Sequence, residues 1–73
     1  MDKHSIGLNA GIIWRILSDN VQRTYNELKK ESGLSERDLN AAIGWLARED
    51  KIEFEPLPEK DGVAFIIHFN NYF

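Results

Sequence analysis

Residues 24–52 read TYNELKKESGLSERDLNAAIGWLAREDKI, and this stretch decides the fold. Thr24 followed three residues later by Glu27 is a capping box, so a helix begins at Tyr25. Tyr25, Leu28 and the methylenes of Lys29 form its inward side, and it runs to Ser32. Gly33 is the left-handed residue that ends such a helix. Leu34 plugs inward after the turn. Ser35 caps the next helix, with Asp38 in the reciprocal capping position. That helix is expected over residues 36–50, with Leu39, Ile43 and Leu46 as its apolar stripe and Ala42 and Ala47 flanking. Glu36 and Asp38 lie in its first turn, where the helix dipole favours negative charge.

Downstream, Ile52-Glu53-Phe54-Glu55 alternates apolar and charged residues in the manner of a strand with one buried face. Residues 56–62 read as a loop whose turn signal is Asp61-Gly62. Residues 63–69 form the strongest strand, β-branched and aromatic along its length. Its two faces are Val63, Phe65, Ile67, Phe69 and Ala64, Ile66, His68. Upstream, residues 1–4 read as a frayed polar start, and Ser5 or Asn9 as the cap of a first helix reaching about Asp19. Ala10, Ile13, Trp14 and Leu17 fall on one face of it, and Ile6, Ile12 and Ile16 on an offset second stripe. Gly7 reads as part of a loose first turn, and Gly11 as a point of close backbone approach. Residues 21–24 are β-permissive and long enough for a strand of two or three residues.

The order is therefore helix, short strand, helix, turn, helix, strand, loop, strand. This is the pattern of an α+β winged helix-turn-helix: three helices with a small antiparallel sheet, made of a two-stranded wing plus a short edge strand. Residues 24–52 resemble the helix-turn-helix and following strand of bacterial winged-helix regulators, through Leu28, Gly33-Leu34-Ser35, Leu39, Ile43, Leu46 and Ile52. The whole chain is similar to a group of small stand-alone bacterial winged-helix proteins of unknown function. Ala10-Gly11-Ile12-Ile13-Trp14 and Gly44-Trp45-Leu46-Ala47-Arg48-Glu49 carry that closer match. The resemblance implies a DNA-binding-type domain, a small transcriptional regulator, with double-stranded DNA as its partner.

Composition narrows the alternatives. Seventy-three residues allow one domain, residues 1–73, whose stability is modest because so short a chain buries little surface. There is no cysteine, which excludes disulfides, thiolate nucleophiles and Cys-based zinc sites. The short apolar runs exclude a membrane-spanning helix, and the N-terminus does not read as a secretory signal, so a cytoplasmic location is expected. No cofactor or metal is expected, since no glycine-rich phosphate loop follows a strand and no His/Asp/Glu cluster has ligand spacing. Nor is an enzyme. His4 falls in the polar start, and His68 lies on a strand with no acid at i±2. Glu53 and Glu55 read as the solvated face of an edge strand, where like charges deter edge pairing.

As a DNA reader, the third helix would enter a major groove by its N-terminal half. Ser35, Glu36, Arg37, Asn40, Ala41 and Gly44 lie off its apolar stripe. Arg37 has the chemistry to read guanine, and Asn40 adenine. Ser35, Thr24 and Tyr25 have hydroxyls for phosphates, and Lys60 at the wing tip could reach an adjacent groove. Charge weighs against this. Residues 1–35 hold five basic and four acidic groups, whereas residues 36–73 hold four basic and eight acidic, a net of −4 in the half expected to face DNA. Duplex binding draws most of its non-specific affinity from Lys and Arg against phosphate. The alternative is a protein-interaction (adaptor) module or a homodimer, with no nucleic-acid role. Ala41 and Gly44 give a strip for close approach there, and a Trp45 turned partly outward would anchor a partner. The plainer expectation for both Trp14 and Trp45 is that they fill the core of a small domain.

Overall fold

Thr24 ends a strand and starts a helix, and the rest of the fold is arranged around that junction. In the computed structural model, which describes residues 2–57 and 62–68, the order is α1 (Lys3–Leu17), β1 (Arg23–Thr24), α2 (Tyr25–Ser32), α3 (Glu36–Arg48), β2 (Ile52–Leu57) and β3 (Gly62–Ile67). The Thr24 hydroxyl accepts from the Glu27 N–H at 3.2 Å, and the Glu27 carboxylate accepts from the Thr24 N–H at 2.8 Å. Gly33 closes α2 at φ 72°, and its N–H donates to the Lys29 carbonyl at 3.1 Å. Ser35 caps α3 by accepting from the Asp38 N–H at 3.2 Å. No return bond from the Asp38 carboxylate is found among the described residues, consistent with an arm one methylene shorter than that of Glu27. Thr24→Ala removes the hydroxyl half of the α2 cap, leaving the Glu27 carboxylate on the backbone N–H of residue 24, and is expected to cost about 1 kcal/mol, read as a lower urea midpoint at unchanged slope.

The three strands form one antiparallel sheet in the order β1-β3-β2. The register pairs Thr24 with Ala64 and Phe54 with Phe65. The wing and its short third strand are thus as the alternation predicts. The core gathers Ala10, Ile13 and Leu17 of α1, Leu28 of α2, and Leu39, Ala42, Ile43 and Leu46 of α3. Ile52, Phe65 and Ile67 close it from the sheet, and Ile16, Tyr25 and Leu34 pack at its margin. The stripes read from helical spacing in α2 and α3 are the buried ones.

Several expectations are corrected. α1 starts at Lys3, because Asp2 accepts from the Ser5 N–H at 2.8 Å while Ser5 Oγ accepts from the Asp2 N–H at 3.0 Å. The polar start is therefore a capping box, and Ser5 is its third helical residue. Gly7 lies inside the helix, and no neighbour approaches Gly11. α3 ends at Arg48, two residues short of expectation, and Asp50 takes the left-handed turn at φ 58°. β2 continues through Pro56 to Leu57, where a loop was expected. β2 is an edge strand, and there proline's missing N–H is tolerated. Trp14 and Trp45 do not fill the core; they are 42% and 39% exposed. Phe54, expected inward, is 53% exposed. It shares the core face of the sheet but stands further out along the wing, with its ring edge-on to Phe65 at 5.2 Å. The aromatic residues Tyr72 and Phe73 of the tail lie outside the described residues.

Before α2, the chain is held by an arginine clasp. Arg23 meets both Asp19 carboxylate oxygens at 2.8 and 2.9 Å, donates to the Val21 carbonyl at 2.7 Å, and reaches Glu31 at 3.4 Å. The Arg23 guanidinium, helped by the Val21 N–H, holds the Asp19 carboxyl down from 3.8 to about 2. A carboxylate with a lowered folded pKa contributes stability above its ordinary pKa and loses it as pH falls through the folded value. Asp19→Asn should therefore flatten the acid limb of stability between about pH 4 and about pH 2, measured by urea unfolding at each pH.

Candidate nucleic-acid and partner interface

With the Leu39/Ile43/Leu46 stripe buried, geometry fixes what α3 turns outward. At about 100° per residue, Arg37, Ala41, Gly44 and Arg48 fall in one column on the side away from the core. Arg37, Gly44 and Arg48 are exposed and Ala41 is half-buried. The column carries two arginines whose backbone positions are about 16 Å apart along the axis, with small residues between them. Open space surrounds Gly44 within the chain, so its lack of a side chain serves no internal packing. Neither arginine has an ion-pair partner among the described residues. Glu36 and Asp38 sit about 100° to either side of Arg37. These two acids of α3 therefore flank the column and do not lie on it. Arg48 is the residue that the sequence reading missed.

The remaining candidates have more constrained polar atoms. Ser35 Oγ is engaged in the α3 cap. Asn40 is exposed, but its carboxamide oxygen accepts from the Tyr25 hydroxyl at 2.8 Å. That bond steadies the side chain toward α2, so a two-point contact with adenine requires the oxygen's second lone pair. The Tyr25 hydroxyl already donates to Asn40, whereas the Thr24 hydroxyl accepts in the α2 cap and keeps its O–H to donate. Lys60 lies outside the described residues. Lys29 and Lys30 fall in the last turn of α2, where cations complement the helix dipole. Trp45 stands about 80° from the arginine column, with Asp38 and Glu49 on its own side of α3.

A three-helix, three-strand α+β unit with this order and sheet is a winged helix-turn-helix. The chain belongs to the family described as Winged helix-turn-helix domain (DUF2582), which matches residues 1–68. It is similar to the solution structure of protein BT2368 from Bacteroides thetaiotaomicron, with 33% sequence identity and a TM-score of 0.79. That match covers 92% of this chain and 79% of the other. No curated protein matches it. Neither description names a ligand or an activity. Among the described residues, no helix is long and apolar enough to cross a membrane, and no acid/histidine group has metal-binding geometry.

Proposed function

We propose that this chain is a one-domain, non-enzymatic DNA-binding winged helix, acting as a small transcriptional regulator in the cytoplasm. The reading is carried by the exposed, acid-free Arg37–Ala41–Gly44–Arg48 column on α3. Small residues at its centre allow the helix to approach a groove floor, and arginines at both ends meet phosphates or guanine edges. Ser35 and Asn40 border this surface. The flanking carboxylates limit affinity and favour a short, discrete contact over a broad electrostatic one. Titrating random-sequence duplex at ~20 mM salt tests the reading, because electrostatic binding is strongest there. Micromolar binding that weakens with salt supports it, and millimolar or absent binding ends it.

A second reading has its own support. Trp14 and Trp45 are each about two-fifths exposed, and exposed tryptophans are common anchors of protein interfaces. With Ala41 and Gly44 beside Trp45, α3 would then receive a protein partner or a second copy of the chain. Sedimentation at ~0.5 mM separates the homodimer from a monomer, since about 4 kcal/mol of association free energy already populates a dimer at that concentration.

A further inference from the structure

His68 follows the last residue of β3, and its N–H donates to the Lys51 carbonyl at 2.9 Å. The strand thereby stays tied to the turn that leaves α3. The register pairs Glu53 with Ile66 and Ile52 with Ile67, which makes Glu53 and His68 diagonal neighbours on one face of the ladder. The side chains meet there: His68 Nδ1 is bonded to a Glu53 carboxylate oxygen. On the other side of the ring, Nε2 lies 3.8 Å from an Asp50 carboxylate oxygen. One half-buried imidazole thus stands between two carboxylates, one from β2 and one from the turn after α3.

Among the described residues, the other elements packed against β3 present mainly apolar side chains to it. α1 turns Ala10, Ile13 and Leu17 inward, and α2 turns Leu28. Arg23 of β1 sits opposite Phe65 and is held by Asp19 and Glu31. Lys51 is exposed and meets His68 through its backbone. A neutral imidazole can donate from only one ring nitrogen, whereas imidazolium donates from both and is attracted by both acids.

We propose that His68 is a proton-operated latch at the root of the wing. Protonated, it fastens the end of β3 to β2 and to the α3–β2 turn; deprotonated, it releases the turn. The latch does not depend on what α3 binds. Two facing carboxylates raise the folded pKa of the ring above its ordinary value of about 6.5. A histidine with a raised folded pKa contributes stability that is complete below the unfolded value and is lost as pH rises through the folded one. A tenfold tightening of proton binding at His68 on folding makes the folding constant about tenfold larger at low pH than at high pH.

The test follows the His68 ring protons by NMR from about pH 5 to about pH 9, a range that spans both pKa values. It compares the wild type with Glu53→Gln and Asp50→Asn, with His4 assigned separately through His4→Gln. The wild-type midpoint is expected above the ordinary histidine value and should fall in Glu53→Gln. Both substituted side chains are exposed, so the variants keep the fold. Urea unfolding at about pH 6 and about pH 8.5 should show the wild type losing its roughly tenfold advantage and Glu53→Gln losing little. A wild-type midpoint at or below the ordinary histidine value, or one that neither substitution lowers, overturns the latch.

Discussion

Leu39→Ala is expected to leave the protein only marginally folded, with a loss of about 3 kcal/mol. Leu39 is fully buried, and it sits one turn into α3, within the cluster shared by all three helices and the sheet. Cutting leucine to alanine removes its transfer energy and leaves a cavity, together about 2–5 kcal/mol. A chain of this length holds about 4–11 kcal/mol in all. The loss is therefore a large part of the total, and the far-UV circular dichroism midpoint in urea should fall steeply. Ile12→Ala is the matched control. Ile12 is exposed on the outer side of α1, and its removal should change stability by about 0.5 kcal/mol or less. A Leu39→Ala loss within 1 kcal/mol of the control would contradict the packing of α3, and with it the direction in which the arginine column faces.

Removing Arg37 and Arg48 together is expected to weaken duplex binding about thirtyfold at physiological salt and far more at low salt. Each phosphate contact contributes about 0.9 to the slope of log K against log salt. A single lost contact therefore costs roughly thirtyfold at ~20 mM salt and roughly fivefold at ~0.15 M. The double variant should bind about a thousandfold more weakly at ~20 mM, with a slope shallower by about two. Arg37→Lys separates two roles for that residue. Lysine keeps a phosphate contact but loses the two-point geometry that guanine requires. Unchanged affinity on random duplex with reduced preference among sequences would place Arg37 on a base edge. A loss equal to that of Arg37→Ala would place a bidentate contact on phosphate. Neither arginine packs in the core, so a fall in stability should not accompany the fall in affinity.

What the sequence disclosed and what it hid have separate physical reasons. The α2 cap, the Gly33 turn and the Leu39/Ile43/Leu46 stripe are local signals, decided within four residues, and all are present in the structure. The start of α1 is equally local. Its capping box runs from an acid to a serine, the reverse of the Thr24–Glu27 order, and it hid inside what reads as a polar tail. The exposure of Trp14, Trp45 and Phe54 was not legible. Periodicity says which face a residue shares, but not whether another element covers that part of the face. Phe54 lies on the core side of the sheet, at a point beyond the buried cluster. The meeting of His68 with Glu53 depends on strand register across 15 residues, and a search for acids at i±2 along one strand cannot find it. Arg48 was available from spacing alone. Counting charge by segment concealed it, because the count pools acids of the turn and the wing with those of α3, whose Glu36 and Asp38 lie on other sides of the helix from its arginines.

Backbone amide chemical-shift mapping with random-sequence duplex at ~20 mM salt, where electrostatic binding is strongest, tests the assignment of the α3 surface most directly. The account predicts salt-sensitive shifts centred on Arg37, Ala41, Gly44 and Arg48, with the outer side of α1 around Leu8 and Ile12 unmoved. Spectra that do not change with DNA, or changes that avoid this column, would contradict it.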